Sequence, residues 1–510
     1  MRVFACVAAA VATCFSVPAT AAWNVAKSKH FVIYANDSSK GLRDFTAWLE
    51  RFDASVRFAY HMPDPPIGDG NRLTVFVLPK AEDVQALVQD KSGFIQGFYT
   101  GRVSGSLVYL AKDQYSDGTP DDQTIFFHEY THHLMMQQTD RPYPEWFVEG
   151  FAEFFSTPKF DHDGSVWLGN IPQQRGQGLF NGPRLSVQSL FTGMTATMSR
   201  EQRDVFYGRG WLLTHYLLLT NKRPGQLTKY VQLLASGTEP LEAARQAFGD
   251  FNKLDRELDG YMRGSLVAFK IPASAVQSST AVEVSPLTVG GAEVINALGK
   301  IKYSQHQPME ALAAEVRAIE TRFQGDELVE RALAEAELKM DHPDAAEAAA
   351  DRALKANPQS VEAMVFKGRA LVERAVTSPD RSAANALFER ARSQFIAANK
   401  IDTEDPEPLF EYYETYPREH IQPTPNAIAA LHYASDLAPQ DFNVRMNSAI
   451  AYLHEGKFPE AKSALTVVAY SPHAHGAGDM AKRMIADLDA GKGKAALEEL
   501  RTSASQASAD

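Results

Sequence analysis

Along this chain of 510 residues the spacing of hydrophobic positions changes from segment to segment, and each change marks a new kind of structure. His30-Phe31-Val32-Ile33-Tyr34-Ala35 and Leu73-Thr74-Val75-Phe76-Val77-Leu78 are short runs rich in β-branched and aromatic residues, as buried strands are. Between them, about Lys40 to Tyr60, apolar residues recur every three to four positions and predict an amphipathic helix. Gly97-Phe98-Tyr99-Thr100 and Ser106-Leu107-Val108-Tyr109-Leu110 read as a hairpin joined through Gly101 to Gly105. Residues 23–118 should therefore hold a small mixed sheet. From about Asp121 to Leu266 the pattern turns helical, which makes 119–268 a helical lobe. Ile271 to Gly291 is rich in Pro, Ser, Thr and Val and has no helical period, so 269–291 is expected to be a connector.

Beyond the connector the chain repeats itself. Arg317-Ala318-Ile319 returns 35 positions later as Arg352-Ala353-Leu354, and Ala356-Asn357-Pro358 stops a helix. Fainter copies are Gln394 to Ala398 leading to Pro406, Tyr433 to Ala438 leading to Pro439, and Gly456 to Ala461 as a turn between paired helices. Residues 292–500 resemble divergent tetratricopeptide repeats, whose period is about 34. The resemblance implies paired helices stacked into a solenoid with a concave face for a partner. The fold class expected is thus α+β: a small mixed β-sheet lobe and a helical lobe, followed by an all-α solenoid. The Ser- and Ala-rich tail, 501–510, should be frayed.

Candidate chemistry sits in the helical lobe. In His128-Glu129-Tyr130-Thr131-His132 the two imidazoles stand four apart, on one face of a helix, where both can bind one metal while Glu129 works on a neighbouring water. Thr119-Pro120-Asp121-Asp122 supplies a helix start, with Thr119 as N-cap and Pro120 at the first helical position. After a turn through Asp140-Arg141-Pro142, Pro144 opens a second apolar stretch, Trp146 to Phe155. Glu149 and Glu153 stand four apart within it, and carboxylates on so apolar a helix need partners. Two His, one Glu and an open position form a catalytic zinc arrangement, whereas structural zinc sites are usually closed by four ligands. Phe206-Tyr207-Gly208-Arg209-Gly210-Trp211 should introduce a further apolar helix and supply a phenol near a developing oxyanion.

With Glu149-Gly150-Phe151-Ala152-Glu153-Phe154-Phe155 behind it, the HExxH motif resembles that of the gluzincin metallopeptidases. That resemblance implies Zn²⁺ held by His128, His132 and Glu149, Glu129 as general base, and Glu153 orienting a ligand imidazole. Tyr207-Gly208-Arg209-Gly210 is similar to the Y-x-K-G string of the aminopeptidase branch, which implies that Tyr207 stabilises the tetrahedral intermediate. The G-A-M-E-N string of that branch has no counterpart here. Metzincins are excluded by Met135 and Gln138, which stand where their Gly and third His belong. His133 is expected at the surface or behind the ligands, His162 in solvent, and His215 in helix packing.

Compartment and partners follow from the ends and the charge. Met1-Arg2, the apolar run Val3 to Ala12 and Ala19-Thr20-Ala21 read as a secretory signal peptide, residues 1–22. Both cysteines, Cys6 and Cys14, lie within it, so the mature chain would hold no disulfide. An exported protein of this kind suits a bacterial periplasm, or secretion, and no stable membrane span is expected. A net charge of −12 argues against nucleic acid. The expected function is zinc-dependent hydrolysis of exported or envelope polypeptides, with a protein partner or substrate on the repeats. The alternatives are an envelope scaffold with a silent zinc site and a peptidase gated by a partner.

Overall fold

The computed structural model describes residues 23–90, 97–112, 124–137, 143–193, 198–276, 281–469 and 475–493. The expected signal peptide with both cysteines, the helix start at Thr119 to Asp122, the turn at Asp140 to Pro142 and the tail lie outside the described residues.

Strands β1 (Trp23–Lys27) and β2 (Phe31–Asn36) pair antiparallel, and helix α1 (Ser39–Tyr60) follows. The Ser38 hydroxyl caps α1 by accepting from the Gly41 amide. Strand β3 (Leu73–Leu78) joins β2 in parallel. After α2 (Ala81–Leu87), the hairpin β4 (Gly97–Thr100) and β5 (Leu107–Ala111) forms as its sequence predicts, with β5 parallel to β3. Helices α3 (Thr124–Gln137) and α4 (Glu145–Phe155) carry the motif and the acidic pair. Next come β6 (Lys159–Phe160), β7 (Val166–Leu168), α5 (Gly176–Asn181), α6 (Val187–Thr192), α7 (Arg200–Leu219), α8 (Gln226–Ala235), α9 (Pro240–Phe248) and α10 (Phe251–Met262). Strands β8 (Phe269–Ile271) and β9 (Glu283–Pro286) complete this part.

Two expectations need correction. The supposed connector contributes β8, which pairs with β7, and β9, which pairs antiparallel with β1 and extends the main sheet to β4-β5-β3-β2-β1-β9. Both are edge strands whose polar and proline residues face away from the core, so no run of hydrophobics announces them. The helical lobe is likewise interrupted by the small β6-β7-β8 sheet.

The sheet is buried on both faces, which explains why β3 is almost continuously apolar. Val75, Val77, Val108 and Leu110 face α1 and α3 in one core. Phe76, Leu78, Leu107 and Tyr109 face the other way, into a core shared with α2 and the repeats. Those repeats comprise α11 (Val289–Tyr303), α12 (Met309–Glu320), α13 (Glu327–Lys339), α14 (Pro343–Ala356), α15 (Val361–Thr377), α16 (Arg381–Ile401), α17 (Pro406–Arg418), α18 (Pro425–Leu437), α19 (Phe442–His454), α20 (Phe458–Ala469) and α21 (His475–Asp489). Each helix packs on the next, and α11, α13, α15 and α17 also touch in turn, so the helices stack as a solenoid. Asp326, Ser360, Asp380, Thr424 and Asp441 each cap a helix by accepting first-turn amides, which keeps the connections short. No described helix is long and apolar enough to cross a membrane.

Candidate metal centre

Helix α3 presents His128 and His132 from successive turns, and α4 brings Glu149 to both. His128 Nε2 lies 3.1 Å from His132 Nε2, and Glu149 Oε2 lies 3.3 Å from the first and 3.5 Å from the second. Three donor atoms thus stand at the corners of a nearly equilateral triangle. Ligands about 2.0–2.1 Å from a tetrahedral ion are about 3.3 Å apart, so the triangle has the dimensions of one face of such a coordination sphere. Among the described residues these three are the group able to hold a metal ion. Imidazole and carboxylate together suit a divalent ion of borderline softness.

Glu149 and Glu153 are almost fully buried. Burial pushes the Glu149 carboxyl up, but the neighbouring His132 and hydrogen bonds from both imidazoles outweigh it and hold the group well below the usual carboxylate range. Burial pulls His128 down, yet the hydrogen bond to Glu149 and the charges of Glu153, Glu129 and Glu149 raise it to about 9. Glu129 is half-buried, and its carboxyl is pushed up by burial and by Glu149 and Glu153 against the pull of the two imidazoles. A cation shared by these groups would relieve the repulsion among three carboxylates.

Glu153 stands behind His128, with Oε1 3.5 Å from Nδ1. The same oxygen accepts from Arg175 Nε at 2.8 Å, while Gln174 Nε2 donates to Oε2 at 3.3 Å. Arg175 also reaches Asp204 Oδ1 at 2.8 Å, and its guanidinium lies 4.7 Å from the centre of the Tyr207 ring. That ring is 6.2 Å from the His128 ring, so Tyr207 stands at the ligand cluster. Arg175 gave no sequence signal, since it sits in the polar, aperiodic stretch Ile171 to Gly178.

Other expectations are corrected here. Phe206 to Trp211 does not introduce the helix but lies within it, because α7 starts at Arg200 under the Ser199 cap and runs through Gly208 and Gly210. Gly210 instead lets α4 approach α7. Arg209, matched to the lysine of the family string, is buried away from the cluster, pairing with Asp255 and Asp259 at 2.8 Å. His133 is not at the surface: its Nδ1 meets the Tyr99 hydroxyl at 3.1 Å and its Nε2 meets Gln137 at 2.9 Å, tying α3 to edge strand β4. Burial lowers its pKa to about 3 and keeps it neutral. His215 contacts Gly169 O and the Tyr261 hydroxyl, a packing role, and His162 is exposed.

No family model matches this chain, and no curated protein sequence does. Among solved structures, a thermophilic TPR protein of Thermus thermophilus aligns at 17% identity over 37% of this chain and 92% of its own, with a TM-score of 0.30. The site and the stacked helices therefore rest on their own geometry.

Proposed function

We propose that this chain is an exported, zinc-dependent peptidase whose helical repeats engage a polypeptide partner or substrate. The observation that carries the reading is the triangle of His128 Nε2, His132 Nε2 and Glu149 Oε2, with sides of 3.1, 3.3 and 3.5 Å. His128, His132 and Glu149 would hold the ion. Bound there, Zn²⁺ would supply a Lewis acid that brings the ionisation of water toward neutral pH and polarises a carbonyl.

The remaining steps belong to side chains. Glu129, the neighbour of His128 on α3, takes a proton from the attacking water and returns it to the leaving amine. Glu153, 3.5 Å from His128 Nδ1, is placed to orient that ring with its Nε2 toward His132 and Glu149. Tyr207, held un-ionised because burial raises its pKa, donates a hydrogen bond to the oxyanion. Strand β4 is an edge of the sheet and is joined to α3 through Tyr99 and His133, which gives an extended peptide a backbone to pair with. The stacked repeats offer a surface of the kind that binds polypeptides.

The test is metal content together with cleavage of an unbiased peptide library by the mature protein. One zinc per chain and cleavage that disappears in Glu129→Gln is the expected result. A chain that binds zinc yet leaves every peptide intact would refute the peptidase reading.

A further inference from the structure

Arg175 joins two parts of the candidate site that the metal motif leaves separate. It ends the short turn Gln173–Arg175, between β7 and α5, and no motif residue is its sequence neighbour. Its Nε and Nη2 both reach Glu153 Oε1, at 2.8 and 2.7 Å, and that oxygen faces His128 Nδ1 at 3.5 Å. Its Nη1 binds Asp204, three residues before Tyr207 on the same helix. Its plane covers the Tyr207 ring at 4.7 Å. One guanidinium thus balances the buried carboxylate behind His128 and fixes the phenol beside it.

We propose that Arg175 is a positioning residue that sets both the His128 ligand and the Tyr207 donor, a role that rests on the peptidase reading above. The argument is geometric. Glu153 is almost completely buried, and two nitrogens of Arg175 hold its Oε1 opposite His128 Nδ1, so without the guanidinium the carboxylate is free to turn away from the imidazole. A cation against the face of Tyr207 restricts the ring, and its charge also favours hydrogen bond donation from the phenol. Lysine cannot do both, since its ammonium is a single point without the planar fork.

The experiment uses the full-length mature protein as wild type, Arg175→Ala, Arg175→Lys, Glu153→Gln and the Arg175→Ala/Glu153→Gln double variant. Zinc affinity is measured by competition with a chromogenic chelator, kcat and KM on a cleaved peptide, and folding by circular dichroism. Arg175→Ala should weaken zinc about tenfold, with kcat reduced and KM little changed. The double variant should bind zinc no more weakly than the worse single variant, because Arg175 acts on the metal through Glu153. Arg175→Lys should keep zinc affinity within about twofold yet lose kcat, and added guanidinium should restore part of the Arg175→Ala loss. Multiplying zinc defects in the double variant, or a folded Arg175→Ala with wild-type zinc affinity and kcat, would overturn the proposal. Should Arg175→Ala fail to fold, Arg175→Lys decides, and unchanged kcat in it overturns the role at Tyr207. Zinc affinity judges Arg175 even if wild type cleaves no peptide, which separates this failure from that of the peptidase reading; wild type without zinc overturns both.

Discussion

Gly150 on α4 and Gly210 on α7 meet backbone to backbone: a Cβ on Gly150 would overlap the Gly210 carbonyl, and one on Gly210 would lie 2.8 Å from the Trp146 carbonyl. This contact sets how closely α4 approaches α7. Glu149 and Glu153 project from α4 on either side of it, and Tyr207 stands one turn before Gly210, so the crossing fixes the acidic pair against the phenol. A methyl at position 150 must push the helices apart, since the opposing atoms are backbone. Gly150→Ala should cost about 1–3 kcal/mol in chemical denaturation and weaken zinc binding. Wild-type stability and affinity would show that the helices are free to slide.

Glu129→Gln keeps the size and polarity of the side chain but cannot take a proton. Peptide cleavage should fall by at least about a hundredfold, the usual contribution of a general base, with one zinc per chain retained. Activity assay and metal analysis of one sample check this. Cleavage at the wild-type rate would eliminate Glu129 as the base.

Glu149→Ala opens the triangle and leaves two imidazoles. Metal should be lost on dialysis against a mild chelator that leaves wild type loaded, because three ligands are reduced to two. Retained metal would mean that another carboxylate serves as the third ligand.

The motif residues were legible because helical periodicity converts spacing into direction: four apart on α3 puts both imidazoles on one face, and four apart on α4 brings Glu149 to the two imidazoles and Glu153 behind His128. The same logic read β2, β3, the β4-β5 hairpin and the solenoid helices. It failed where position depends on tertiary packing alone. Arg175 reaches Glu153 across 22 positions of chain, and His133 is buried by β4 rather than by its own helix. Strand β9 exists because β1 has a free edge, a fact recorded nowhere in the residues Glu283 to Pro286.

Stability should decline as pH rises above the ordinary histidine range, because of His30. Its Nδ1 lies 2.7 Å from Glu50 and its Nε2 3.0 Å from Asp64, with Asp53 and Arg57 in the same buried network and Lys29 on Asp64. Burial pulls the His30 pKa down, but the Glu50 hydrogen bond and the charges of Asp53 and Glu50 outweigh it and leave it above the usual 6.5. For Glu50, burial acts upward and His30 outweighs it downward, leaving it below 4.5. The His30 contribution is therefore complete below pH 6.5 and lost as pH rises through the folded value. The Glu50 contribution is complete above pH 4.5 and lost as pH falls. Urea denaturation from pH 5 to 9 should show the alkaline decline in wild type and a flatter limb in His30→Gln. Equal slopes would exclude His30 as its source.

The repeats should prove inseparable from the sheet. On the face turned toward them, Tyr34, Phe76, Tyr109 and Phe98 stack across four strands, with ring centres 5.0–5.4 Å apart. Tyr303 of α11 closes this ladder edge-on at 5.0 Å from Phe98. The Tyr109 hydroxyl donates to Gly299 O at 2.7 Å, and Gly299 has no side chain to hold the Phe76 ring away. The tip of the β4-β5 hairpin is gripped as well: Arg102 donates to the Lys302 and Tyr303 carbonyls ending α11, and Val103 N donates to Asp441 at 2.7 Å. A fragment ending at residue 288 would expose the whole aromatic face and lose the anchors of the strand nearest α3. It should aggregate or fail to melt cooperatively, whereas the full chain should unfold these parts in one transition. Phe76→Ala should lower that single transition by about 3–5 kcal/mol, as deletion of a buried ring does. Two resolved transitions in calorimetry, or a soluble fragment that melts cooperatively, would show instead that the repeats are a detachable module.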